Sequence, residues 1–403
     1  MRRLLALLLA AGAAACVPPQ SVPRTGDPHL DVALRVLSTT PLVDGHNDLP
    51  WAIRTHEAAP MDVAAYDLRT RAPGHTDIER LRQGRVGIQF WSVYVPSDSV
   101  RAGAARVQLE QIDIARQLFT RYPDVFEETR TADAAVRAFR AGRIGSVIGM
   151  EGGHVLENSL GALRAYYDLG ARYLTLTHSA NTDWADAATD TPRHNGLTPF
   201  GREVVREMNR LGMMVDLSHV SPATMHAALD VTEAPVIFSH SSARAVTEHA
   251  RNVPDDVLRR MRENGGVVMI TFVPAFINRE VARWYELPAA ERSGQSPPRA
   301  TLADAVRHIE HVRDVAGIDH VGIGGDFDGI TTVPVGLEDV STYPALFAEL
   351  SRRGWSEGDL RKLAGENALR VWREVERVAG RLQRERGPSV ATIQQLDGAP
   401  AAR

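Results

Sequence analysis

Two reactive residue types are almost missing from the 403-residue chain: it has one cysteine, Cys16, and one lysine, Lys362. A single thiol excludes any internal disulfide. A single lysine leaves one candidate for Schiff-base chemistry or for a carboxylated-lysine metal bridge, and it lies in a helical-looking segment near the C-terminus. Any metal bridge must therefore be a carboxylate. Charge of one sign is also lacking: 46 basic residues, all but one of them arginine, face 50 acidic ones for a net charge of -4. No basic patch stands out, so the footprint of a nucleic-acid binder is absent. With 44% apolar and 24% charged residues, the composition is that of a soluble globular chain with a large core. The length suits two ordinary domains or one large α/β barrel with insertions.

The N-terminus "MRRLLALLLAAGAAACVPPQ" has two arginines, an apolar run from Leu4, small residues and then Cys16. This is a secretory signal pattern whose apolar run is too short for a spanning helix. "AAAC" reads as a bacterial lipobox, with residues 1–16 as the signal and Cys16 as the lipidated residue, although Ala13 replaces the usual leucine. Ordinary cleavage near Ala15 is the alternative and gives a soluble periplasmic or secreted protein. In the lipoprotein reading the chain sits at the periplasmic face of a bacterial membrane, and Val17 after the cysteine favours the outer membrane. A Pro-rich tether, 17–28, a catalytic barrel, 29–385, and a flexible tail, 386–403, complete the expected organisation.

Eight short apolar or β-branched runs recur between helical patterns. They begin at Pro41, Val86, Ile144, Arg172, Met213, Pro235, Gly265 and His320, with amphipathic stretches such as Ala104 to Tyr122 and Thr198 to Leu211 between them. Strand and helix alternating eight times predicts a (β/α)8 TIM-like barrel. The spacings are uneven, so some loops should carry small helices, and Leu287 to Pro298 is a Pro-rich insertion.

Ionisable residues fall where these strands end: His46 and Asp48 on the first, Glu151 on the third, His178 on the fourth, His219 on the fifth, His240 on the sixth and Asp326 on the eighth. In such a barrel the C-terminal strand ends converge on one face, where active sites lie. Any one of these taken alone reads as a hydrogen-bonded structural histidine or a turn carboxylate, but six coincidences at matching positions are far less probable than one site. Residues two apart on a strand share a face, so His46 and Asp48 both reach inward and Asn47 points away. Imidazoles and carboxylates without a thiol suit zinc or a similar divalent ion, and seven groups exceed the needs of one tetrahedral metal. Two ions sharing a carboxylate would use them. Asp44 and Asp216 read as groups that orient strands or ligands, and His154 as a decoy; His29, His56, His75, His194, His308 and His311 receive no role. The run "GIGGDFDG", 322–329, offers Asp326 and Asp328 on one face, and the residues alone do not separate them.

The ordered set "HND", "MEGGH", "RYLTLTH", "DLSHVS", "FSHSSARAV", "RNVPDD" and "GIGGDFDG" resembles the renal or membrane dipeptidases of the amidohydrolase superfamily, from about residue 40 to 375. The resemblance implies two zinc ions, with His46 and Asp48 on the first, His219 and His240 on the second, and Glu151 and a hydroxide bridging them. It further implies that His178 polarises the scissile carbonyl and Arg251 holds the terminal carboxylate of a dipeptide. Asp326 would orient the bridging water, take its proton and pass it to the leaving amine. Turnover of dipeptides with a C-terminal D-residue, and a noncovalent homodimer, are also expected by resemblance. Mammalian members are anchored at a lipidated C-terminus and joined by a disulfide, whereas here anchoring falls to Cys16. Alternative readings are a binuclear zinc enzyme for another amide, β-lactam or lactone, or a noncatalytic envelope lipoprotein. A deaminase is disfavoured because His46-Asn47-Asp48 replaces His-x-His.

Overall fold

A computed structural model describes residues 24–398, so Cys16, the expected signal and most of the tether lie outside the described residues. The described residues form nine parallel strands: β1 (Leu42–Asn47), β2 (Val86–Ser92), β3 (Phe126–Glu128), β4 (Ile144–Glu151), β5 (Ala171–Thr175), β6 (Met214–Asp216), β7 (Ile237–Ser241), β8 (Val267–Ile270) and β9 (Val321–Ile323). β1 pairs with both β2 and β9, and β2 pairs with β4, so eight strands close into a barrel. These eight are the runs read from the sequence. The ninth, β3, pairs with Ile144 to Ser146 at the start of β4, on the edge that β5 takes over from Ile148 onward. Its three residues are too few to show a period in the sequence.

Helices start and stop where the local chemistry directs. Pro199–Leu211 is capped by Thr198, whose hydroxyl accepts the Gly201 amide, has Pro at its first position and ends at Gly212 with φ +89°. Ser221 and Pro222 open the helix Pro222–Val231 in the same way. Between them, each crossover packs an apolar stripe onto the outer faces of the strands.

The barrel interior has its own apolar core. Val43, Ile88, Phe90, Val147, Tyr173 and Met269 fill it, and Trp372, Leu369 and Val375 from the amphipathic helix Asn367–Glu385 belong to the same cluster. The rings of Trp372 and Phe90 lie 5.6 Å apart, as do those of Phe90 and Tyr173. This column of tilted rings leads toward the C-terminal strand ends and supports the layer above it. Among the described residues no helix is long and apolar enough to cross a membrane.

The segment expected as a flexible tail from 386 is docked as far as it is described. Asp397, ending the short helix Ile393–Asp397, accepts hydrogen bonds from the Thr198 hydroxyl at 2.6 Å and the Phe200 amide at 3.0 Å. Ile393 is 3% exposed, and the Ser389 carbonyl accepts from Arg164. One apolar side chain and one carboxylate facing a helix start thus outweigh a composition containing Gly, Pro, Ala and Gln. Asp397→Ala should therefore lower unfolding stability by about 1–3 kcal/mol in a denaturant titration; an unchanged midpoint would restore the free-tail reading.

Candidate active site

The strand ends are tied together before any functional group is placed. Asp44 of β1 accepts the Gly325 amide at 2.9 Å and the Tyr343 hydroxyl at 2.6 Å, which joins β1 to the segment after β9. Burial raises the Asp44 carboxyl, and the bonds from Tyr343 and the Gly325 amide oppose that rise. Asp216 of β6 accepts the Ser218 and Ser239 amides at 3.1 and 2.8 Å and the Thr175 and Ser239 hydroxyls at 2.5 and 2.6 Å. It thereby fastens β5, β6 and β7. Gly324 allows the chain after β9 to cross close to β7, since a Cβ there would lie 1.9 Å from the Ser239 carbonyl oxygen.

On this frame the expected groups converge. His46 Nε2 lies 3.2 Å from Asp48 Oδ2, 3.4 Å from Glu151 Oε2 and 4.0 Å from Asp326 Oδ1. The other Glu151 oxygen, Oε1, is 2.9 Å from His219 Nε2, 3.3 Å from His240 Nε2 and 3.9 Å from His178 Nε2. Glu151 thus turns one oxygen to each of two donor groups. Three overlapping triads of a size that can hold an ion result: His46, Glu151 and His240; Glu151, His178 and His219; His46, Asp48 and Asp326.

The delivery of these groups differs from simple strand alternation. His46, Glu151 and His240 sit on strands, but Asp48 lies one residue past β1 at the start of the helix Leu49–Arg54 and caps nothing there. The inward pairing of His46 and Asp48 is therefore not strand periodicity: β1 has a register irregularity between Asp44 and Asn47, and Asp48 turns back from a helical start. His178, His219 and Asp326 also follow their strands by three residues, and His219 and Asp326 have φ of +69° and +64°. Asn47 points away, as expected, donating to the Thr76 hydroxyl at 2.8 Å.

Electrostatics favours a bound cation. Burial alone would raise the Glu151 carboxyl, yet the charge of His46 and hydrogen bonds from His219 and His240 hold it well below the usual range. Burial opposes a charge on His46, but Tyr173, Glu151 and Asp48 hold its proton, so this imidazole sits well above its ordinary value. Burial pushes His219 and His240 well below, so both imidazoles stay neutral. Asp326 is pushed well above the carboxylate range by burial; His46 opposes this and Asp48 and Glu151 add to it. The His219 and His240 Nε2 atoms face each other at 2.8 Å, and His46 Nε2 has no hydrogen-bond partner. Imidazoles and carboxylates aimed at shared points in a buried site fit divalent metal ions.

Supporting partners complete the arrangement. The Tyr173 hydroxyl bonds His46 Nδ1 at 2.9 Å, and Ser239 bonds His240 Nδ1 at 2.8 Å, which leaves both Nε2 atoms turned inward. Tyr173 stood in the quoted run "RYLTLTH", but only its place above Phe90 reveals the contact. His154 stays outside the cluster, its imidazole lowered to about 4 by burial first and by His178.

Above the cluster opens a cavity of about 450 Å³ that Asp48, Glu151, His178, Arg251 and Asp326 line together with Trp51, Tyr94, Val273, Phe276 and Ile330. Arg251 is 4% exposed; its Nη2 donates to the His240 carbonyl at 3.4 Å, and its Nη1 has no partner. Burial lowers it to about 10, so it remains a cation at neutral pH. Trp51 and Tyr94 carried no sequence signal as cavity walls.

The family model described as membrane dipeptidase, peptidase family M19, matches residues 30–386. A crystal structure of dipeptidase AC, a metallopeptidase of that family, is 30% identical with a TM-score of 0.73, covering 84% of this chain and 99% of its own. A metallopeptidase from Rhodobacter sphaeroides, solved with a phosphinate mimic of the dipeptide L-Ala-D-Ala, is 28% identical with a TM-score of 0.72, covering 84% and 99%. The probable dipeptidase PvdM from Pseudomonas aeruginosa shares the fold at 23% identity and a TM-score of 0.77, covering 87% and 99%.

Asp216→Ala should cost roughly 3 kcal/mol or more in chemical denaturation, because it strips the shared acceptor from four buried donors. Asp216→Asn, which keeps one oxygen, should cost distinctly less; equal losses would show that the acceptor count is not what matters.

Proposed function

The chain belongs to the membrane dipeptidase family, peptidase family M19, and from that premise we propose how this metal-dependent dipeptidase works and what it cleaves. The observation that carries the reading is Arg251. A buried guanidinium with an unpartnered Nη1 lines the same cavity as the imidazole and carboxylate cluster. Such a planar cation receives a carboxylate, and a carboxylate this near the reacting centre is the free C-terminus of a very short peptide.

The proposed cofactor is two zinc ions: His46 and Asp48 would hold one, His219 and His240 the other, and Glu151 would serve both. Thiol-free nitrogen and oxygen donors suit zinc. When bound, divalent ions of this kind polarise a carbonyl and make water more acidic. Asp326 holds and moves the proton: its Oδ1 faces His46, and burial keeps its carboxyl ready to carry a proton from the attacking water to the leaving amine. His178 is largely neutral because burial lowers it. Ser179 bonds its Nδ1 at 3.1 Å; with the hydroxyl donating there, Nε2 carries the proton and can donate it to the developing oxyanion. Arg251 fixes the terminal carboxylate, so the peptide bond one residue away meets Asp326 and His178.

Dipeptides with a C-terminal D-residue belong to the proposed substrates, supported by the L-Ala-D-Ala mimic held by the Rhodobacter sphaeroides relative. The proposal also places the enzyme outside the cytoplasm, lipidated at Cys16 and working at the periplasmic face of a membrane, with a noncovalent homodimer as its assembly. The N-terminal run "LLALLLAAGAAAC" supports the export part of this reading.

Protein lacking residues 1–16 should retain two zinc ions per chain after dialysis by elemental analysis, release amino acid from L-Ala-D-Ala or L-Ala-L-Ala, and lose that activity to a chelator. Silence across a dipeptide panel, from folded protein with both ions bound, would overturn the substrate reading. Arg251→Met should reduce kcat/KM for dipeptides by at least about 100-fold, mainly through KM, while hydrolysis of dipeptide amides changes little. Asp326→Asn should lower kcat about 100- to 10,000-fold with zinc retained.

A further inference from the structure

The turn that carries Asp326 is gripped from a distant part of the chain. Asp326 and Asp328 have φ of +64° and +66°, a left-handed conformation that non-glycine residues seldom adopt and that surrounding contacts must maintain. On one side β1 supplies those contacts: the Asp326 amide donates to the His46 carbonyl at 3.1 Å, and the Asp48 amide to the Phe327 carbonyl at 2.9 Å. On the other side stands His75. Its amide donates to Asp328 Oδ1 at 2.6 Å, and its Nδ1 accepts the Asp328 amide at 3.0 Å. This reciprocal pair joins residues 253 apart in sequence and sets the imidazole proton on Nε2.

We propose that His75 is a positioning residue for the reaction: by clamping Asp328 it keeps Asp326 turned toward the cluster. This rests on the proton-carrying role of Asp326 given above. The clamp is built to be rigid. Thr76, beside His75, accepts the side-chain amide of Asn47, which lies between His46 and Asp48, so one segment holds both carboxylate carriers. Arg80, 2% exposed, fixes that segment through Asp77 at 2.7 Å, the Gly74 carbonyl at 2.7 Å and the Ala72 carbonyl at 3.1 Å. Gly74 itself admits the Asp328 carboxylate, since a Cβ there would lie 2.1 Å from Oδ1. Asp328, with one side-chain oxygen and its amide committed to His75, is thereby distinguished from Asp326, whose Oδ1 faces His46.

The test compares His75→Leu, His75→Asn and Asp328→Ala in zinc-loaded protein with L-Ala-D-Ala, alongside Asp326→Asn, recording bound zinc and melting temperature for each. His75→Leu should lower kcat about 10- to 100-fold with KM within about twofold and zinc retained. His75→Asn, whose Oδ1 can take the place of Nδ1 as acceptor, should recover most of that loss. The His75→Leu, Asp328→Ala double variant should be no worse than the more impaired single one. Should His75→Leu melt below the assay temperature, Asp328→Ala is read in its place against the same expectation. Wild-type kcat in His75→Leu, or equal loss in the Leu and Asn variants, overturns the proposal. An active Asp326→Asn would instead remove the role on which it rests.

Discussion

Everything at the rim answers to one constraint: the Glu151 carboxylate is buried with each oxygen committed to a different set of imidazoles. An ionised carboxylate out of water costs several kcal/mol unless positive charge meets it closely. Here His46 supplies a proton from one side while His219 and His240 donate from the other. The same crowding opposes ionisation of Asp326, so two carboxylates in one cavity are driven in opposite directions. Divalent ions would take over the balancing charge and displace protons, which makes metal binding and protonation alternatives in the same space.

Holding so many groups at close range demands a stiff frame, and the frame uses the same chemical types as the site. Asp44 and Asp216 are buried carboxylates as well, yet each is saturated by backbone amides and hydroxyls and serves as a tie between strand ends. Below them the tilted, contacting rings of Trp372, Phe90 and Tyr173 transmit the packing of the barrel interior to His46 through the Tyr173 hydroxyl. The apolar core and the polar site are thus one structure, in which ring packing sets which nitrogen of His46 faces inward.

Much of this was legible along the chain, for identifiable reasons. The eight barrel strands are long enough, or flanked clearly enough, for their apolar runs to show, whereas β3 is three residues long and pairs only with the start of β4. Seven carboxylates and imidazoles at the ends of six separate strands pointed to one rim because parallel strands in a closed barrel all end on the same face. Their local geometry was not legible: Asp48 reaches His46 from a helical turn, and His219 and Asp326 depend on left-handed backbone that alternation does not describe. The C-terminal segment misled by composition, since a single carboxylate, Asp397, finds a helix start nearly 200 residues earlier in the chain.

The sequence by itself determined the donor chemistry. With one thiol and one lysine, both remote from the strand ends, only imidazoles and carboxylates could build a metal centre, and periodicity placed them on a barrel. Tertiary structure alone decided which of two neighbouring aspartates faces the cluster, which nitrogen each histidine presents and which histidine outside the cluster, His75, holds the turn. The reason is physical range. Residue type and period are local properties of the chain, while a hydrogen bond or a 2.9 Å approach between residues a hundred or more positions apart exists only once the barrel has closed.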